Sequence, residues 1–135
     1  MFISVTRLRI RKWYYLPEFI FRAIRSNSQA KRSSGFVEGY TLNERSLIFW
    51  TVTAWQSEAD MKAFRGAGPH RDAMPKLAGW CDEAVVAHYQ GDRLPDPLEA
   101  WECLKTRGRS TPVNHPSANQ VEKRISEPVA TPRTI

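Results

Sequence analysis

Residues 49–64, "FWTVTAWQSEADMKAF", change their period part-way through. The first half is β-branched or aromatic at almost every position, which suits a pleated, half-buried strand. On such a strand Ile48, Trp50, Val52 and Ala54 share one face, and Phe49, Thr51 and Thr53 share the other. Then Ser57-Glu58-Ala59-Asp60 takes the form of a capping box, in which a serine oxygen accepts an N–H of the first helical turn. Ala59, Met61, Ala63 and Phe64 continue from it as a helix. A strand that hands over to a capped helix within two residues is the unit from which the rest can be read.

Upstream, Asn43-Glu44-Arg45 makes a tight connection to a second strand over residues 36–42. Before it, Ser33-Ser34-Gly35 ends a helix that has Pro17 in its first turn, where a missing N–H costs nothing. Phe19, Ile20, Ala23 and Ile24 form the apolar stripe of that helix. Residues 2–10 alternate as a strand, with Ile3 and Val5 on one side and Ser4, Thr6 and Leu8 on the other. Downstream, Gly66-Ala67-Gly68-Pro69 breaks the second helix, which restarts with His70 and carries Met74, Leu77 and Ala78 inward. Residues 84–89 form the last strand.

The order β-α-β-β-α-β predicts an α+β, ferredoxin-like split unit: a four-stranded antiparallel sheet with both helices on one face. The face without helices is then expected to carry Phe49, Thr51, Thr53, Ser4, Thr6 and Leu8. It is too apolar to stay wet. A homodimer packed sheet against sheet would cover it.

Fourteen of the fifteen aromatic residues precede position 92, and prolines stand at 95, 97, 112, 116, 128 and 132. That shift divides a domain over 1–91 from a tail over 92–135. The tail is predicted to form one short helix over Pro97–Arg107, with Leu98, Trp101 and Leu104 on one side, and to be disordered beyond Gly108. The net charge is +6, and residues 1–32 hold eight Lys/Arg against the single acid Glu18. No apolar run reaches the ~20 residues that span a bilayer, and no secretory leader is recognisable. Cys81 and Cys103 offer neither a CxxC motif nor metal-ligand spacing. The expectation is a reduced, cytoplasmic protein with no membrane partner and no metal.

The motifs "FWTVTAWQSEADMKAF", "GPHRDAM" and "WCDEAVVAHY" together resemble the dimeric α+β barrel superfamily, in particular its antibiotic-biosynthesis-monooxygenase-like members. The resemblance covers residues 2–90 and not the tail. It implies a homodimer whose pockets lie between the open sheet face and the region of helix two. It also implies oxidation of a small aromatic or hydrophobic molecule by O₂ with no cofactor. A haem-degrading branch is disfavoured: Thr6-Arg7 stands where that branch has an Asn, and Phe64 where it has a Trp.

His70 is the candidate catalytic residue, a neutral imidazole able to act as general base on a phenol. Thr6, Arg7, Phe49, Thr51, Thr53, Phe64 and Arg71 are the candidate substrate-binding residues, the two arginines for developing anionic charge. His88 reads as a sheet-face residue, and Trp50, Trp55 and Trp80 as packing. Cys81 has no predictable base beside it. The competing reading is a non-catalytic ligand-binding or interaction module on the same fold. Nucleic acid is disfavoured, because "ISVTRL" lacks the aromatic that base-stacking sheets carry.

Overall fold

A computed structural model of the chain describes residues 1–45 and 47–135. The elements are β1 (Phe2–Ile10), α1 (Leu16–Arg32), β2 (Phe36–Glu44), β3 (Ile48–Trp55), α2 (Glu58–Arg65), α3 (Gly68–Trp80) and β4 (Cys81–Gln90). They are followed by α4 (Pro97–Arg107), β5 (Arg109–Ser110), α5 (Ala118–Glu122) and β6 (Arg133–Thr134). The expected local signals operate. Pro17 lies in the first turn of α1, and Ser57 Oγ accepts the Asp60 N–H at 3.1 Å. Asp96 and Glu99 close a full capping box on α4.

Among the described residues the sheet has six strands, in the order β5-β4-β1-β3-β2-β6, with antiparallel pairing throughout. Its centre is the four-strand arrangement expected from the sequence. The two additional strands are two residues long each and come from the chain beyond α4. They are invisible to periodicity because two residues make no pattern and their partners are distant in sequence.

The residues that share each sheet face are those the alternation assigns, but the cover on each face is reversed. Ser4, Thr6, Leu8, Thr51 and Thr53 look toward α1 and α3. Ile3, Val5, Leu42, Trp50, Val52 and Ala54 form the main core on the opposite face, packed with Ala100 and Leu104 of α4. Parity groups residues by face; it does not say which group meets the helices. The large apolar set wins the closely fitting cover, since burying a Leu or Val side chain contributes roughly 1.5–3 kcal/mol.

The chain itself therefore covers the face that a partner copy was expected to cover. Residues 108–135, whose composition predicts disorder, are tied to the sheet by scattered hydrogen bonds. The Thr111 N–H donates to Ala84 O at 2.9 Å and the Ile135 N–H to Gly39 O at 3.0 Å. The Trp101 indole N–H donates to Ile125 O at 2.8 Å, and the Val129 N–H to Glu44 Oε1 at 2.8 Å.

The stripe of α1 also differs from expectation. Phe19 and Ala30 are buried, whereas Ile20 and Ile24 are exposed, as are Trp13, Tyr14 and Phe21. The helix packs along its 19-23-26-30 line, one position away from the wider stripe. Among the described residues no helix is long and apolar enough to cross a membrane.

Candidate functional site: a cavity between sheet and helices

The floor of the site is a grid set by strand register. Ser4, Thr6 and Leu8 of β1 lie opposite Thr53, Thr51 and Phe49 of β3. On their other side they meet His88, Val86 and Ala84 of β4. Above this floor α1 contributes Ala23, Ser26, Asn27 and Ala30, and α3 contributes His70, Ala73 and Leu77. Most of these side chains are short, so the two layers do not meet. They leave a cavity of about 370 Å³, within the range of small-molecule pockets, roughly 300–1,000 Å³.

Aromatic clusters close both ends. At one end Trp55 stacks on Phe64 with centroids 5.1 Å apart, and its indole N–H donates to Thr53 Oγ1 at 3.0 Å. Since that oxygen is already accepting, the Thr53 hydroxyl hydrogen is left to donate. At the other end Phe19 meets Phe49 at 4.7 Å and Trp80 at 6.3 Å.

The helix break positions His70. Gly68 takes φ +56°, a left-handed conformation that glycine adopts without a side-chain clash. Gln29 of α1 then satisfies the backbone groups that the break exposes. Its Nε2 donates to Phe64 O at 3.1 Å and Ala67 O at 2.7 Å, and its Oε1 accepts the His70 backbone N–H at 2.9 Å. The His70 ring lies 4.7 Å from the Phe64 ring, and its Nδ1 is 3.3 Å from Arg65 O. A carbonyl only accepts, so Nδ1 carries the hydrogen and Nε2 is left as the basic lone pair. Burial pushes the His70 pKa below its ordinary 6.5, and the Arg65 charge adds to this against the opposing Arg65 carbonyl. Burial, followed by the charges of Arg65 and Arg109, likewise lowers His88.

No family model and no curated protein matches the chain. Solved structures do. An antibiotic biosynthesis monooxygenase-like protein of Nitrosomonas europaea superposes with a TM-score of 0.61 at 17% identity, over 69% of this chain and 100% of that one. SnoaB, a cofactor-independent oxygenase from Streptomyces nogalater, gives 0.56 at 15%, over 68% of this chain and 93% of its own. A conserved protein from Methanosarcina mazei Go1 gives 0.59 at 15%, over 67% and 92%. The chain has an antibiotic biosynthesis monooxygenase-like fold. About a third of it lies outside each superposition.

Within this monooxygenase-like fold the sequence-predicted residues separate. His70, Thr6, Thr51, Thr53 and Phe64 all line the cavity. Phe49 lies just outside, packed on Phe19. Arg7 points through the opposite face of the sheet and donates to Glu83 Oε1 at 2.8 Å; adjacent residues of a strand cannot share a face, so Thr6 and Arg7 cannot serve one pocket. Arg71 is on the surface, paired with Asp72 at 3.2 Å. Both cysteines are free, and burial pushes the Cys81 thiol up to about 12, which makes it a poor nucleophile.

Four cationic or basic groups of the lining stand outside the residues predicted from sequence: Arg22, Arg65 and Arg109, and His88, which read only as a sheet-face residue. The alternation Ala84, Val86, His88 on β4 could have flagged His88, since Ser4 and Thr6 pair with that set. Arg109 gave no signal, because it reaches the cavity from a two-residue edge strand.

Proposed function

We propose that the cavity binds a small, largely hydrophobic aromatic molecule and that the chain oxidises it with O₂ as a cofactor-independent monooxygenase-like enzyme. The observation that carries this reading is His70: a neutral imidazole held at a cavity wall, with Nδ1 engaged and Nε2 available. A base of this kind accepts a proton from a phenol or an activated ring CH₂ near neutral pH. The substrate carbanion then supplies the electrons. One oxygen atom of O₂ enters the product as C=O and the other leaves as water.

The aromatic ends of the cavity would hold a planar ring system, and the hydroxyls of Thr6, Thr51 and Thr53 would donate to its oxygens. Arg65 would sit beside the anion formed, where a nearby cation stabilises developing charge. The likeness to SnoaB supports the reaction class through fold alone.

Oxygen uptake with an anthrone-type substrate tests the reading. The intact chain is expected to consume O₂, and His70→Ala to lose at least about 100-fold, the usual contribution of a general base. Unchanged turnover in His70→Ala removes His70 from the mechanism. Saturable binding without oxygen uptake favours the non-catalytic module.

A further inference from the structure

A second cavity, of about 390 Å³, lies on the other side of the sheet, between β1 and β4 and the α4–α5 segment. Five cations line it: Arg7, Lys105, Arg109, Lys123 and Arg124. No carboxylate belongs to its wall. Three of the five have partners just outside: Arg7 pairs with Glu83 and Lys105 with Glu102, both at 2.8 Å, and Arg124 pairs with Glu122. Among the described residues Arg109 and Lys123 pair with no carboxylate. A second, independent feature marks the same wall. The Arg7 side chain is only 3% exposed, yet its Nε has no hydrogen-bond partner.

We propose that this cavity is a binding site for an alkyl or aryl phosphate monoester. A phosphate monoester carries −1.5 to −2 charges at neutral pH, which matches the two cations left without a carboxylate. Its oxygens accept several hydrogen bonds at once, suiting guanidinium groups and the orphaned Arg7 N–H. Val85, Leu104 and Ile125 supply an apolar wall for the remainder of the molecule. No aromatic ring lines the cavity, so it lacks the stacking platform that single-stranded nucleic acid requires. Lys123 adopts φ +58°, a turn that ends α5 and leads directly into Arg124 and Ile125.

Calorimetric titration of the full chain with phenyl phosphate, inorganic phosphate and phenol tests the site. Phenyl phosphate is expected to bind one-to-one and inorganic phosphate more weakly, and excess phenol should not compete. Lys123→Asn should weaken phenyl phosphate at least tenfold; asparagine tolerates the left-handed backbone, so the unfolding midpoint should stay near that of the parent. Arg124→Gln, which lines this cavity and not the helix-side one, provides a second reading of the same loss. Lys31→Gln, on the exposed surface of α1, should leave binding unchanged. Equal affinity in the parent and Lys123→Asn overturns the proposal. So does displacement by phenol, which would put the ligand in the helix-side cavity, or binding of single-stranded RNA where phenyl phosphate does not bind. Oxygen uptake by the Lys123→Asn chain is expected to be unchanged, so this site and the oxygenase reading fail separately.

Discussion

The two faces of one sheet are built by opposite rules. Toward α1 and α3 the strands present Ser4, Thr6, Thr51, Thr53, Ala84 and Val86, the helices answer with small residues, and a void remains. Toward α4 they present Ile3, Val5, Leu42, Trp50 and Val52, all fully buried. The first face leaves its opening over the middle of β1 and β3, whereas the second packs tightly around Ile3, Val5, Trp50 and Val52 and keeps its own cavity only where β4 meets α4 and α5. Helix-covered therefore does not mean core. Here the secondary-structure layer that defines the fold roofs a cavity, and the segment that follows the fold completes the core.

Deleting residues 92–135 breaks the comparison hardest. It uncovers Trp50, Val52, Ile3 and Leu42 at once, a patch too apolar to remain in water. The shortened chain is expected to self-associate or precipitate, as read by light scattering on a sizing column. A folded, monomeric product would show that the tail is dispensable cover.

Adjacent residues of β3 sharpen it next. Trp50→Ala should cost about 3–5 kcal/mol, as large-to-small changes in a close-packed core do. It also removes one of the two donors that Glu44 has among the described residues, its Oε2 accepting the indole N–H at 3.0 Å. Thr51→Ala, one residue along and facing the void, should stay within about 0.5 kcal/mol, the usual range for a substitution that removes no packing. Urea unfolding of both variants checks the contrast. Similar losses would mean that the two faces are packed alike.

How much of this was legible can be read from the same residues. Element order, helix caps and the parity of β1 and β3 are local properties, and residue spacing carries them. Which face acquires a cover is a global property. It depends on α4 meeting β4 and β1 from outside the β-α-β repeat, and on Glu44 catching the Val129 N–H across 85 positions. The candidate site was half legible for that reason. Thr6, Thr51, Thr53, Phe64 and His70 follow from parity and from the helix break. Arg7 was misassigned by one step of the pleat, and Arg109 arrives by an edge pairing that has no sequence period.

The packed face also holds its charges differently. Arg7 bridges to Glu83 in the interior, and Glu83 additionally accepts from Ser117 at 2.8 Å and Arg9 at 3.2 Å. Arg7→Leu leaves Glu83 with those two donors, so the loss should fall near the low end for a broken buried pair, about 3 kcal/mol. Replacing both Arg7 and Glu83 by leucine should recover part of it. If the double variant is no better than the single one, the pair contributes through geometry that leucine cannot reproduce.

The smallest effect separates the faces by pH. On the cavity side burial lowers the pKa values of His70 and His88 below 6.5. The unfolded chain then binds protons that the folded chain resists, so stability falls as pH drops through 6.5 and levels off beneath the folded values. On the packed side burial tends to raise Glu83, but the Arg7, Ser117 and Arg9 hydrogen bonds outweigh it and hold the carboxyl below 4.5. That contribution is complete above 4.5 and is lost only as pH falls through the lower folded value. Asp82 beside it is shifted upward, first by burial, and offsets part of the second loss. Stability measured against pH should therefore decline in two stages. Replacing His70 and His88 by glutamine should flatten the upper stage alone, and Glu83→Gln the lower alone. A single stage removed by either change would mean that the two faces titrate as one.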